Sequence, residues 1–210
     1  MTPGGGERTD DDRSRAGELP ALAERRDLEQ VYQPAEDSHL LAEAAREAVG
    51  EGERALDVGT GSGYVADALA DAGARVVAAD VNPLACEQAR DRGLSVVQAN
   101  LADPFDAATF DLVTFNPPYL PTPPEDAMDD WMERALSGGE DGRRVIEPFL
   151  SSVGRVLRPG GRVLLLVSTL TDVEAVGELA AENGLTAAEV ASESHPFERL
   201  VVLALRSAGT

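Results

Sequence analysis

The chain has 210 residues, enough for one domain with a substantial core, and its formal net charge is −20 from 38 acidic and 18 basic residues. Such a surface repels phosphate backbones and anionic membranes, which argues against a nucleic-acid substrate unless salt screening is strong. The single cysteine, Cys86, excludes an intramolecular disulfide, and the only histidines, His39 and His195, show no metal-ligand spacing, so we expect no metal.

The start of the chain is polar, rich in glycine and then acidic, unlike a signal peptide. We predict that residues 1–28 are a disordered acidic tail and that residues 29–210 form a single domain. No apolar run approaches the length of a membrane span, so the expected location is the cytoplasm.

A glycine-rich turn in the first half of the chain is flanked by two acids. The pattern predicts a strand over residues 55–58, a turn over residues 59–63 (GTGSG), a helix, and a second strand that ends on Asp80. The turn is GxGxG and not the dinucleotide pattern GxGxxG, because Tyr64 stands where the third glycine would be. Asp57, in the strand before the turn, would serve a pyrophosphate poorly but suits a cationic ligand. S-adenosylmethionine fits, since it has a sulfonium, an ammonium and a ribose for Asp80.

Asn100 and Leu101 follow a third predicted strand, residues 94–98. They place an amide beside an apolar side chain at the carboxyl edge of the sheet. Such a pair can hydrogen-bond the edge of an adenine and pack on its face.

The fourth predicted strand, residues 110–115, runs into Asn116-Pro117-Pro118-Tyr119. Two consecutive prolines stop the strand and make a stiff loop at its carboxyl end, which is where ligands bind in open α/β sheets. The loop offers the amide of Asn116, the carbonyl of Pro117 and the ring of Tyr119. This set suits holding a planar nitrogen group between two acceptors and one ring face.

The second half of the chain continues the alternation of strands and helices. Residues 120–141 are long, acidic and without a clear pattern, which predicts an irregular lid or a wall of the site. A helix over residues 142–157, a very apolar strand, another helix and two closing strands follow. We predict a seven-stranded, mostly parallel α/β sheet with helices on both faces and one antiparallel edge strand.

Four motifs together resemble the class I S-adenosylmethionine-dependent methyltransferases with their Rossmann-like fold, and more closely the HemK-type protein-glutamine N5-methyltransferases. The matches are residues 32–38 (YQPAEDS), 57–63 (DVGTGSG), 116–119 (NPPY) and 137–143 (SGGEDGR), and the similarity covers about residues 31–205. The chain lacks the N-terminal helical domain of the bacterial members, so it is similar to the short archaeal and eukaryotic branch.

The resemblance implies which residues bind each reactant. The cofactor contacts would be Ser38, Asp57, Gly59, Gly61, Asp80, Asn100, Leu101 and Asn116. The substrate contacts would be Asn116, Pro117, Pro118 and Tyr119, and the catalytic residues among them Asn116, Pro117 and Tyr119. The family often has an aspartate where Asn100 stands, and an amide oxygen can still meet the adenine amino group.

By the same resemblance, the substrate would be the glutamine of the Gly-Gly-Gln motif in the archaeal translation termination factor. Enzymes of the short branch work with a small zinc-binding activator subunit, so a heterodimer is expected. All 18 basic residues are arginine, and an acidic surface without lysine is typical of high-salt organisms, which favours a halophilic archaeon.

Three alternatives stay open at this point. Nucleic-acid amino methyltransferases acting on adenine or cytosine of DNA or tRNA also use an Asn-Pro-Pro-Tyr loop, although the net charge of −20 opposes such a substrate. The acceptor could be a protein lysine. The chain could also be a non-catalytic partner with a methyltransferase fold, against which the intact glycine turn and the Asn116 loop both argue.

Overall fold

The computed structural model describes residues 30–123 and 131–208. The predicted tail, residues 1–28, lies outside the described residues. No helix in the two described ranges is long and apolar enough to cross a membrane.

Strands and helices alternate along the described chain. The strands are β1 Arg54–Val58, β2 Arg75–Asp80, β3 Ser95–Gln98, β4 Phe110–Phe115, β5 Leu157–Ser168, β6 Leu185–Ser194 and β7 Arg199–Ser207. The helices are α1 Glu36–Ala48, α2 Tyr64–Asp71, α3 Pro83–Asp91, α4 Trp131–Leu136, α5 Ile146–Val156 and α6 Val173–Glu182, with a 3₁₀ turn at Thr169–Thr171.

The seven strands form one sheet in the order β3-β2-β1-β4-β5-β7-β6. β1 pairs in parallel with β2 and β4, and β4 pairs in parallel with β5. The edge strand β6 pairs antiparallel with β7, which in turn runs antiparallel to β5. The predicted mostly parallel sheet with an antiparallel edge is therefore confirmed.

Both faces of the sheet are covered, as the apolar strands require. On one face α5 and α6 pack against β4 and β5, with Phe115 and Phe149 in ring contact at 4.6 Å between centroids. On the other face α1 and α2 contribute Leu41 and Leu69 to a second buried cluster. Burial on two faces leaves the strand ends as the place where polar side chains can gather.

The strand order reverses beside β1. The chain leaves β1 towards β2 on one side, and β4 lies on the other, so the loops after β1 and β4 diverge and leave a crevice between them. Crevices of this kind at the carboxyl ends of parallel strands are the usual ligand sites of open α/β sheets.

Part of the stretch 120–141 is more regular than the sequence predicts. It contains the two-turn helix α4, and residues 124–130 lie outside the described ranges. The following helix begins at Ile146 and not at residue 142, because residues 137–145 form a series of tight turns. Those turns pack against the Asn116 loop.

Candidate active site

A cavity of about 500 Å³ opens at the crevice beside β1. This volume lies within the range of ordinary small-molecule sites. All eight predicted cofactor residues line this cavity, including Asn116 from the loop after β4. The predicted residues in the wall are Ser38, Asp57, Gly59, Gly61, Asp80, Asn100, Leu101 and Asn116.

Asp57 is a buried carboxylate in the cavity wall. It is 2 % exposed and accepts hydrogen bonds from Thr60 Oγ1 at 2.6 Å and Thr114 Oγ1 at 2.7 Å. Burial raises the pKa of Asp57 to about 6, partly offset by these two hydroxyls. At neutral pH the group is mostly ionised, and its side-chain hydrogen-bond partners in the described chain, Thr60 and Thr114, are neutral hydroxyls. A positively charged ligand group would supply a cationic partner.

Asp80 is fixed by the backbone. Its carboxylate accepts one hydrogen bond from the Gly61 amide at 2.9 Å and another from the Asn82 amide at 2.8 Å. Burial raises the pKa of Asp80, and the backbone amides work in the opposite direction. An ionised carboxylate has about four acceptor positions, so Asp80 retains capacity for two hydroxyl donors.

The first glycine of the turn is needed for its shape. Gly59 has φ +61°, a left-handed conformation that favours glycine. A Cβ atom there would approach the Phe115 ring to 3.1 Å. The backbone can therefore come close to both the β4 end and the cavity.

Asn100 and Leu101 line the same cavity. The Asn100 Nδ2 group donates to Asp103 Oδ2 at 3.2 Å, which leaves the amide oxygen as the atom that can accept from an adenine amino group. Leu101 has φ +50° and packs partly against the core. The adenine contact predicted for this pair stays a prediction.

A second pocket, of about 350 Å³, lies next to the first. All four predicted substrate residues line it: Asn116, Pro117, Pro118 and Tyr119. Asn116 and Pro118 line the larger cavity as well. Hereafter the larger space is called the cofactor cavity and the smaller one the acceptor pocket, after the ligands that the sequence predicts for them, and their linings share Tyr32, Asn116, Pro118 and Ala135.

The Asn116 oxygen, Oδ1, is buried and has no hydrogen-bond partner within the two described ranges. A buried unsatisfied acceptor costs free energy, about 1–3 kcal/mol by the usual measure. Such an atom at the junction of two cavities is set to accept a hydrogen bond from a bound ligand.

Behind the loop lies a cluster that sequence reasoning did not assign. The Tyr32 hydroxyl donates to both carboxylate oxygens of Asp37, at 3.1 and 3.0 Å, and Asp37 is 3 % exposed. Burial, then the Asp37 charge, raises the pKa of both Tyr32 and Tyr119, so the two phenols stay protonated. Tyr32 lines both cavities. Its only signal in the sequence is membership of the YQPAEDS motif.

The SGGEDGR motif braces the Asn116 loop from outside. The Leu120 carbonyl accepts from the Gly138 amide of this motif at 2.9 Å, and the Leu120 amide donates to the carbonyl of Leu136, just before the motif, at 2.9 Å. A Cβ on Gly142, which has φ +77°, would come within 2.6 Å of the Tyr119 carbonyl oxygen and of Thr171 Cγ2. The motif therefore holds the position of Tyr119 and does not itself line the acceptor pocket.

No group of three or more histidine, cysteine, aspartate or glutamate side chains placed to hold a metal ion occurs within residues 30–123 and 131–208.

Comparisons with known proteins identify the family. The model of a methyltransferase domain matches residues 56–128. A protein of Methanocaldococcus jannaschii that is named a protein N5-glutamine methyltransferase is 34% identical over 83% of this chain and 90% of its own. Human methyltransferase HEMK2 is 34% identical over 82% of this chain and 88% of its own.

Among solved structures, the E. cuniculi Mtq2-Trm112 complex, which methylates the translation termination factor eRF1, is similar with a TM-score of 0.72. The identity is 28%, over 85% of this chain and 99% of that one. Together with the two relatives, this similarity confirms the resemblance read from the four motifs. The chain belongs to the HemK-type protein-glutamine N5-methyltransferases, S-adenosylmethionine-dependent enzymes with the class I methyltransferase fold.

Proposed function

We propose that this enzyme methylates the side-chain amide nitrogen of a glutamine in a translation termination factor, within its Gly-Gly-Gln motif. The observation that carries the proposal is the Asn116 oxygen, buried and without a partner in the described chain where the cofactor cavity meets the acceptor pocket. The E. cuniculi protein acts on eRF1, which supports the same class of substrate here.

The cofactor cavity suits S-adenosylmethionine, which supplies an electrophilic methyl group on a sulfonium. In our proposal Asp80 accepts hydrogen bonds from the ribose hydroxyls, and Asp57 stabilises the positively charged amino-acid end. Asn100 and Leu101 hold the adenine edge and face. Ser38, Gly59 and Gly61 complete the wall. The cation also relieves the isolated charge of Asp57, because opposite charges nearby favour the ionised form.

The acceptor pocket suits a primary amide. Asn116 Oδ1 and the Pro117 carbonyl accept the two N–H groups of the glutamine, while the Tyr119 ring packs on the amide plane. An amide nitrogen is a weak nucleophile because its lone pair is delocalised. Orientation is therefore the main contribution of the protein, and it can supply up to roughly 7–11 kcal/mol in the best intramolecular models. Acceptors aimed at the positive charge that grows on nitrogen add an electrostatic contribution.

We further propose a small zinc-binding activator as partner in a heterodimer. The support is the assembly of the E. cuniculi protein with Trm112. The lysine-free surface with a net charge of −20 suits a cytoplasm of high salt, such as that of a halophilic archaeon.

The test is methyl transfer in vitro with labelled S-adenosylmethionine, with and without the activator. The acceptors are the purified termination factor, the same factor with its Gly-Gly-Gln glutamine changed to alanine, bulk tRNA and DNA. We expect label only in the unchanged factor, and mass spectrometry should place one methyl group on that glutamine. Label in nucleic acid, in a lysine peptide or equally in the glutamine-to-alanine factor would contradict the assignment.

A further inference from the structure

Part of the wall of the acceptor pocket comes from the turn between β6 and β7. This turn, residues 195–198, is called the hairpin tip below. His195 and Glu198 line the pocket, together with Leu200 at the start of β7. The tip lies almost 80 residues after the Asn116 loop in the chain, and no sequence motif connects the two.

The hairpin tip is held in one position by the sheet. The Ser168 hydroxyl at the end of β5 donates to the Glu198 carboxylate, and the Arg199 amide donates to Thr169 Oγ1 at 3.0 Å. Within the tip the His195 amide donates to the Glu198 carbonyl at 2.8 Å. A turn tied in this way can present side chains to a ligand with little loss of entropy on binding.

His195 presents an unsatisfied atom. Its Nε2 is buried and has no hydrogen-bond partner in the described chain, and the nearest carboxylate oxygen, on Glu193, is 3.7 Å away. Buried polar atoms are normally paired. Asn116 also lines this pocket, and its Oδ1 is likewise buried without a hydrogen-bond partner in the described chain. Two residues from different elements thus line one pocket, and each carries a buried polar atom without a partner in the described chain, which points to a bound ligand that pairs with both.

Phe197, between His195 and Glu198 in the hairpin tip, is a large apolar residue that does not line the pocket. Its side chain is 93 % exposed, by far the most exposed large apolar residue in the described chain. A fully solvated phenyl ring next to a binding pocket is typical of an anchor for a protein partner, since buried aromatic side chains dominate interface energetics.

We propose that the hairpin tip is the docking element for the acceptor protein. His195 Nε2 forms a hydrogen bond with the acceptor backbone beside the methylated residue, and Phe197 binds an apolar patch on the folded acceptor outside that segment. The occupant is the acceptor and not a second enzyme copy, because the tip is continuous with the pocket that holds the target amide. This inference rests on the proposed function and adds to it the determinant of protein recognition.

The test compares two acceptors, the folded termination factor and a short peptide containing Gly-Gly-Gln. We expect Phe197→Ser to raise KM for the folded factor by about tenfold or more, as for a typical aromatic anchor, and to leave KM for the peptide unchanged. His195→Leu should raise KM for both acceptors by up to about tenfold, the usual worth of one hydrogen bond. His195→Gln, whose terminal amide can replace the imidazole hydrogen bond, should restore most of this loss.

Val190→Ser is the matched control. Val190 is also an exposed apolar residue of the same hairpin, at 54 % exposure, but it lines neither the cofactor cavity nor the acceptor pocket. All four variants should keep the affinity for S-adenosylmethionine measured by calorimetry. A purely structural role of the tip would instead lower the melting temperature and kcat without separating the two acceptors.

The outcomes separate this inference from the proposed function. If the unchanged enzyme methylates the factor but Phe197→Ser and His195→Leu keep the original KM values, the docking role of the hairpin tip is wrong. If the unchanged enzyme methylates neither acceptor, the proposed function is wrong, and the docking role falls with it.

Discussion

The glycine turn after β1 and the proline loop after β4 lie side by side at the carboxyl edge of the sheet. They differ in which groups they present to the site. The glycine turn uses backbone: Gly59 bends in a left-handed conformation, and the Gly61 amide binds Asp80. The proline loop presents side chains. Its position is fixed by a hydrogen bond from the Gly138 amide to Leu120 and by close packing of Gly142 on the Tyr119 carbonyl.

The difference matters because the two loops depend on different parts of the chain. The turn and its partners Asp57 and Asp80 come from one strand-turn-helix-strand unit, so the cofactor side is almost local in sequence. The acceptor side is assembled from segments near Tyr32, Gly142 and His195. We therefore expect substitutions on the acceptor side to change turnover or acceptor binding, and substitutions on the cofactor side to change cofactor affinity.

The strongest expected separation comes from Asn116→Ala. Loss of the Oδ1 acceptor should lower kcat by at least about 10²–10³-fold, the effect seen when one positioned transition-state hydrogen-bonding group is removed. Binding of S-adenosylmethionine should stay within about tenfold, since the other cofactor contacts remain. Single-turnover methyl transfer and calorimetry measure the two effects. Retained turnover on the glutamine substrate would show that the loop does not hold the reacting nitrogen.

Asp57→Asn should have the reverse effect. Replacement of the buried charge by a neutral amide should weaken S-adenosylmethionine binding by roughly tenfold to a hundredfold, the range for hydrogen bonds to charged groups. The amide oxygen can still accept from one of the Thr60 and Thr114 hydroxyls while the amide nitrogen donates to the other, so the local packing should survive. Calorimetry on the purified variant checks this expectation, and Asp71→Asn, at a carboxylate whose side chain is 79% exposed, is the control.

The same variant has a consequence for stability. The pKa of Asp57 is raised to about 6 in the folded chain, above the usual value of about 3.9, so its folded state binds the proton more tightly. The protonated Asp57 carboxyl therefore stabilises the folded chain. This stabilisation is fully present below the unfolded pKa and is lost as pH rises through about 6. The free energy of unfolding of Asp57→Asn should therefore exceed that of the original chain by about 2–3 kcal/mol at pH 7.5 and by less at pH 5. Urea unfolding without cofactor would contradict this if the difference were constant with pH.

Gly142→Ala tests the brace behind the proline loop. An added Cβ would meet the Tyr119 carbonyl oxygen and Thr171 Cγ2 at 2.6 Å in a left-handed backbone, so Tyr119 must shift. We expect a loss of roughly 1–3 kcal/mol in stability and a fall in kcat of about tenfold or more, in line with the sensitivity of turnover to small misplacements. Cofactor affinity should not change. Gly160→Ala is matched, with φ +81° and nothing within 4 Å of the new atom, and should show only the backbone strain.

Tyr32→Phe should have the smallest effect. The change removes the hydroxyl that donates to Asp37 and leaves the ring in place. Loss of one hydrogen-bond donor to the buried Asp37 carboxylate should lower the free energy of unfolding by about 1–3 kcal/mol. Turnover should fall by less than tenfold, because Ser38 still donates to Asp37 through its backbone and hydroxyl groups. Thermal melts and initial rates measure both, and a loss as large as that of Asn116→Ala would place Tyr32 among the reacting groups.

Much of the cofactor side could be predicted from the sequence. Asp57, Gly59 and Asp80 are linked by short chain segments with strong local preferences, so their spacing alone indicated a site. The proline loop was predictable for a similar reason, since Pro117 and Pro118 fix their own backbone wherever they occur. The helix α4 was missed because it is short and its stretch is dominated by acids and prolines.

Other parts of the acceptor side could not be predicted in this way. The close contact of Gly142 is with Thr171, and part of the acceptor-pocket wall comes from His195, and both partners lie far along the chain. Neither residue stands in a pattern with a physical meaning of its own. Their roles depend on which segments the fold brings together.

The sequence by itself determined the chemistry: a buried acid before a glycine turn, a second acid after the next strand, and an amide on a stiff loop. These features arise from local backbone preferences and from residue chemistry, which act over a few positions. Only the tertiary structure decided that the cofactor cavity and the acceptor pocket share Asn116, that the hairpin tip lines the second of them, and that Gly142 packs against the loop that carries Tyr119. Such contacts follow from the sheet order β3-β2-β1-β4-β5-β7-β6, which joins strand ends that are distant in the chain.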